Sequence, residues 1–215
     1  MLIRICVTFF ILISINTSLA ATPTKPQVPR PGNDVLKNNS PDNTEIEVRL
    51  DGDFTGDGLN DVAFIAASEE KRILIVMAAY AEEVDMGHDR IGQIELETFP
   101  LGTASLSFKK GILIVEDLTG GTTATNVLYR YRFDKTKKRM QLIGDDLTLY
   151  SRTNAHDSLK VSTNRLTGIS ISQVGKLTKD GDYTDQPPVT KKVSSEAIYM
   201  EDTPNPCVLL GCMDQ

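Results

Sequence analysis

Val127-Leu128-Tyr129-Arg130-Tyr131-Arg132-Phe133, Asp134-Lys135-Thr136-Lys137-Lys138, Met140-Gln141-Leu142-Ile143: three consecutive segments set the fold class. In the first, large apolar side chains recur at every second residue. That period suits a strand with one covered face and does not suit a helix. The second is a polar turn. The third returns as a short apolar run, so the three make an antiparallel hairpin.

Moving outward, the same unit recurs. Glu45 to Leu50 alternates with period two. Asp61 to Ala66 and Arg72 to Met77 are apolar runs of strand length around the polar turn Ser68-Glu69-Glu70-Lys71. Ala104 to Phe108 alternates, Lys109-Lys110-Gly111 turns, and Ile112 to Val115 comes back. Leu166 to Ile171 and Val193 to Tyr199 read as further strands, and Ala78 to Ile91 is the best candidate for a helix. Short strands joined by polar turns about every 8 to 12 residues predict an all-β fold of antiparallel hairpins, in a propeller-like or sandwich arrangement. No strict internal repeat accompanies them.

The chain has 215 residues, 40% hydrophobic and 24% charged, which suffices for one sizeable core. Lys and Arg number 23 against 29 Asp and Glu, a formal charge of −6. Without a basic field, a nucleic-acid phosphate backbone is not the expected partner.

Residues 1–20 read as an export signal. Arg4 precedes the apolar run Ile5 to Ile15, and Ser18-Leu19-Ala20 offers small residues for cleavage after Ala20. The run falls short of the about 20 apolar residues that span a bilayer. The expected location is periplasmic or secreted, with no membrane contact after cleavage. Loss of Arg4, the one charged residue of the signal, takes the formal charge to −7. An oxidising space without ATP demotes kinase and NAD chemistry.

Residues 21–43 carry five of the ten prolines and few large apolar residues, and read as a linker. The folded domain is expected over 44–203, with a tail at 204–215. The tail holds Cys207 and Cys212, which an exported protein would join in a structural disulfide. A redox pair or metal ligands are the alternatives.

One loop carries chemistry. Asp51-Gly52-Asp53-Phe54-Thr55-Gly56-Asp57-Gly58-Leu59-Asn60-Asp61 places oxygen donors at alternate positions from Asp53. Calcium takes about six to eight oxygens, and Asp53, Thr55, Asp57, the Leu59 carbonyl and Asp61 are the candidate metal ligands. Gly58 falls where the loop needs a positive φ. Position 12 of the loop is Phe64 where an EF-hand has its bidentate Glu, so this is not an EF-hand. An ion-free Asp-Gly turn is the alternative. Against it stands the mutual repulsion of four aspartates within eleven residues. Asp180 to Asp185 is a poorer echo lacking the central glycine.

The stretch Gly52 to Ala63 resembles the calcium loop of FG-GAP and VCBS-type repeats, whose ligand positions fall on Asp53, Thr55, Asp57, Leu59 and Asp61. Thr55 departs from that family's Asn or Asp. Residues 45 to 170 are similar to small exported bacterial proteins carrying a single such loop, through Leu106 to Ile114, Tyr129 to Phe133, Gln141 to Asp145 and Asn164 to Gly168. Some similar periplasmic proteins are immunity proteins that inhibit a cell-wall-degrading effector. The resemblance implies a calcium-binding, non-enzymatic protein whose partner is a cell-wall hydrolase, and the charge of −7 suits a basic one. Thr119 to Thr123 and Ser151 to Asp157 are candidate contact loops. A carboxylate-based hydrolase and an adhesive module are the alternatives. The acid pairs Glu82-Glu83, Glu116-Asp117 and Asp145-Asp146 are strand neighbours pointing to opposite faces, and His88 and His156 sit in loop-like contexts.

Overall fold

The computed structural model describes residues 28–206 and Leu209. Two antiparallel sheets follow one another along the chain. The first is a four-stranded meander of β1 (Glu45–Gly52), β2 (Asp61–Ala67), β3 (Arg72–Ala81) and β4 (Met86–Leu96). The second runs through β5 (Ser105–Lys109), β6 (Ile112–Gly120), β7 (Thr123–Asp134), β8 (Arg139–Ser151), β9 (Ser158–Asn164) and β10 (Ile169–Leu177). Two short strands, β11 (Tyr183–Asp185) and β12 (Val189–Lys192), then pair end to end along β10, and β13 (Ile198–Tyr199) returns to β8. The all-β antiparallel class is as the sequence predicts.

The hairpins read from sequence are present in register. Phe64 faces Ile75 across β2 and β3, Phe108 faces Leu113 across β5 and β6, and Phe133 faces Met140 across β7 and β8. Inward residues of both sheets share one core: Ala63, Ile65, Leu74 and Val76 from the first, and Leu113, Val115, Val127, Tyr131 and Leu142 from the second. β7 and β8 alternate because only one face is covered. β2 is buried along nearly its whole length because both faces are.

The second cover is a helix where the sequence suggests a linker. Over residues 28–43 the chain is ordered, with α1 at Asn33–Asn38. Leu36 is fully buried on the outer face of the first sheet, against Val62, Phe64, Ala66, Ile73, Ile75 and Met77. Burying one such side chain contributes about 1.5–3 kcal/mol. Composition misleads here because the few apolar residues land on the one surface that needs them. Asn39 Nδ2 and Ser40 Oγ donate to the Val35 and Leu36 carbonyls, ending the helix, and Arg49 Nη1 donates to the Pro31 carbonyl at 2.9 Å.

The helix suggested for Ala78 to Ile91 is instead the β3–β4 hairpin, with Ala79 opposite His88 and a turn closed by Glu82 N–H donating to the Asp85 carbonyl. Glu82-Glu83-Val84-Asp85 is polar turn chemistry, and β3 continues from an apolar run already committed to the sheet. The strand foreseen over Val193 to Tyr199 narrows to β13, and that foreseen at Leu166 starts at Ile169. Residues 1–20 and both tail cysteines lie outside the described residues, as do residues 21–27. Among the described residues, no helix is long and apolar enough to cross a membrane.

Candidate functional site

The acidic loop joins β1 to β2, whose last pair is Gly52 opposite Asp61. Its apolar residues fix it from two sides. Phe54 is buried and meets Phe108 edge-on at 5.0 Å between ring centres, while Leu59 packs with Val28 and Ala79. Gly56 (φ 72°) and Gly58 (φ 83°) both take the left-handed backbone, as expected for Gly58.

The carboxylates are turned onto backbone N–H groups. Asp53 Oδ1 accepts from Gly56 and Asp57, and its Oδ2 accepts from Gly58 at 2.8 Å. Asp57 Oδ1 accepts from Leu59 at 2.7 Å. Asp61 is wholly buried; its Oδ2 accepts from Phe54 (2.7 Å) and Thr55 (2.9 Å), and its Oδ1 from Ala79 on β3 (2.9 Å). Burial raises the Asp61 pKa, against the lowering effect of those three N–H groups. Seven N–H donors therefore answer much of the repulsion that the sequence alone suggests. Asp51 is drawn aside by Arg49 at 2.7 Å.

The structure thus brings Asp53, Thr55, Asp57, Leu59 and Asp61 into one loop, with Asp53 and Asp61 serving different sets of N–H donors. Among the described residues, no three Asp, Glu, His or Cys side chains converge as a set able to hold a metal ion. One oxygen stands out in the loop: Thr55 Oγ1 is buried with no hydrogen-bond partner. Asp180 to Asp182 lead into β11 and the rest of that stretch is β11 itself, whose last residue, Asp185, accepts from Lys160 Nζ at 3.3 Å.

Arg72 and Glu47, which the sequence reading did not single out, join Asp117 to sew the two sheets together. Arg72, buried in β3, donates to Glu47 on β1 (2.8 Å), to Asp117 on β6 (3.0 Å) and to the Glu97 carbonyl (2.8 Å). Burial alone would raise the Glu47 pKa, but the Arg72 hydrogen bond, the Ala104 N–H and the Arg72 charge together hold it below the ordinary value. Asp117, more deeply buried, is raised by that burial despite Arg72. No local pattern announces such a triad, since its members are 25 and 45 residues from the arginine. The Asp145-Asp146 pair splits as strand neighbours must: Asp145 goes to the covered face and Arg165, Asp146 to Arg130 and Ser162. Glu116 is exposed and accepts from Asn126, while Asp117 is buried. Glu82 and Glu83 lie in and beside the β3–β4 turn.

A cleft of about 400 Å³ opens between the free edge of β4 and the inner faces of β6 and β7. Gln93 to Glu97 form one wall, Asp117, Thr119, Val127 and Tyr129 the floor, and Glu201 with Thr203 to Pro206 the far wall. That far wall is pinned. Arg139 donates to Glu201 at 2.7 Å and lies 4.5 Å over the Tyr199 ring, and Tyr131 and Thr203 share a hydroxyl hydrogen bond of 2.9 Å. Acids line the cleft, and among the described residues no Lys or Arg does.

The two candidate contact loops lie side by side. Arg152 N–H donates to the Thr122 carbonyl at 2.8 Å, and Thr123 Oγ1 and His156 Nε2 are hydrogen-bonded at 2.8 Å. Phe99, 74% exposed, is tied to the same end through Gly120 N–H. His88 meets the Asn60 carbonyl through Nε2 at 3.0 Å. Comparison with protein-family models, with curated proteins and with solved structures found no match.

Proposed function

We propose that this is an exported, non-enzymatic binding protein whose partner is a basic protein, a cell-wall hydrolase of the lysozyme kind being the class that suits it. One observation carries the reading: the buried acids, Asp61, Asp117 and Asp145, are each held by arginine or by backbone N–H groups. Acids so tied are fixed parts of the frame, while the surplus negative charge is left for the surface. A formal charge of −7 after signal cleavage speeds encounter with a basic partner and makes it salt-dependent. A rigid two-sheet frame presents loops at low ordering cost. The test is calorimetric titration of the purified chain with basic lysozyme-type hydrolases, at low and at high salt. A one-to-one complex that weakens as salt rises supports the reading; absence of heat at both salts with every hydrolase tried removes it.

Calcium at the loop over Asp53 to Asp61 is a second element of the proposal, favoured by the orphaned Thr55 hydroxyl oxygen. Hard oxygen donors are what calcium takes; the set read from sequence is Asp53, Thr55, Asp57, the Leu59 carbonyl and Asp61, and its carboxylates, which here accept from backbone N–H groups without converging, would have to turn toward the ion. When bound, the ion would stiffen the loop rather than serve a reaction. Chelation is expected to lower the melting temperature, and Asp57→Ala, at a residue outside the buried Asp61 anchor, to abolish that response. An unchanged melting curve with chelator would rule the ion out.

A further inference from the structure

The cleft between β4 and the β6–β7 floor combines two features. Its walls supply apolar surface from Ile94, Leu96, Val127 and Pro204, and its polar groups are oxygen-rich. Tyr129 is 2% exposed, faces the cleft, and its hydroxyl makes no hydrogen bond among the described residues. The hydroxyl opens onto the cleft, where an incoming group can reach it. Burial, then Asp145, Asp117 and Glu97, keep it protonated by raising its pKa. Its lone pairs are therefore set in a negative field. Of the cleft acids, Asp117 is tied to Arg72, Glu201 to Arg139, and Glu95 to Lys71 at 3.0 Å. Glu97 is exposed and forms no ion pair among the described residues, while Arg72 fixes its carbonyl.

We infer that the cleft receives one cationic side chain, an arginine or lysine of the partner, its aliphatic stem along Ile94, Leu96 and Val127 and its head between the Glu97 carboxylate and the Tyr129 hydroxyl. The inference rests on the basic-partner reading for its biological occupant, but the chemistry of the cleft stands by itself. A guanidinium or ammonium supplies only donors, matching a site that offers acceptors. The cleft volume lies within the range of about 300–1,000 Å³ usual for ligand clefts. Thr119 belongs both to the floor and to the first contact loop, so a side chain seated here leaves its parent backbone against that loop.

The purified, isotope-labelled chain is titrated with N-acetyl-arginine methylamide, and in parallel with the neutral isostere N-acetyl-citrulline methylamide, while amide resonances are followed. Saturable shifts at Glu97, Thr119 and Tyr129 with the arginine probe, absent with citrulline, are expected. Glu97→Gln and Tyr129→Phe should each weaken that binding three-fold or more while core resonances such as Ile65 and Leu113 stay in place. Equal shifts from both probes, shifts scattered over the surface, or full binding by both variants would overturn the inference. The two readings fail separately. Probe binding without any hydrolase complex removes the partner and leaves the site. A hydrolase complex equally tight with both variants removes the site and leaves the partner.

Discussion

Asp61 shows what single residues do in this chain. Its two oxygens hold the start of the acidic loop and the neighbouring strand β3 through three N–H groups. Asp61→Asn keeps the shape but exchanges one acceptor for a donor that faces donors. Stability should fall by about 2–3 kcal/mol, since hydrogen bonds to charged groups are worth about 1.5–3 kcal/mol. A denaturant midpoint within error of the wild type would contradict this. Glu47 offers a pH test. Its folded pKa is depressed, so its contribution is complete above the unfolded pKa of about 4.3 and disappears as pH falls through the lower folded value. The stability gap between the wild type and Glu47→Gln should be full near neutrality and close on the acid side. A gap that widens with acid would reverse the assignment. The Asp-Gly spacing of the loop, with Gly58 in the left-handed region, was legible in the residue string. That Asp61 would be a hydrogen-bond anchor was not, because one of its donors, Ala79, arrives from another strand.

At the scale of elements, the alternation in β7 and the runs in β2 and β3 say how many faces are covered, which is why these hairpins could be read from sequence. The same reasoning faltered where burial came from elsewhere. α1 is a helix of six residues held by Leu36, and nothing in its proline-rich setting reveals the apolar face that receives it. Leu36→Ala should cost about 2–5 kcal/mol, as for other buried leucines, measurable by thermal or chemical unfolding. A surface-like loss below half a kcal/mol would mean that the segment is no part of the fold. The β6–β7 turn gives a paired comparison. Gly120 has φ 105°, and a Cβ there would run into the Thr123 carbonyl oxygen, whereas a Cβ at Gly121 meets nothing within 4 Å. Gly120→Ala should therefore unfold well below Gly121→Ala, and equal melting temperatures would contradict the register. The contact loops at Thr119 to Thr123 and Ser151 to Asp157 were visible as turns. Their adjacency follows from β7 pairing with β8 along its whole length, with Thr123 opposite Ser151.

For the molecule as a whole, the two sheets divide the labour. Their shared core and the Arg72–Glu47–Asp117 cluster lock one against the other. The cleft and the paired loops lie where β4 ends beside β6 and β7. Composition foretold an acidic chain without a nucleic-acid field, but not where the acids gather, since Glu97, Asp117 and Glu201 meet only through sheet packing. The central proposal is that this frame captures a basic hydrolase and carries out no reaction itself. The most direct measurement is the rate of cell-wall lysis by a basic lysozyme-type hydrolase as the purified chain is added, alongside the chain alone on the same substrate. The account predicts that lysis stops when chain and hydrolase are near equimolar, and that the chain alone releases nothing. Undiminished lysis in a large excess of the chain, or release of fragments by the chain alone, would contradict it.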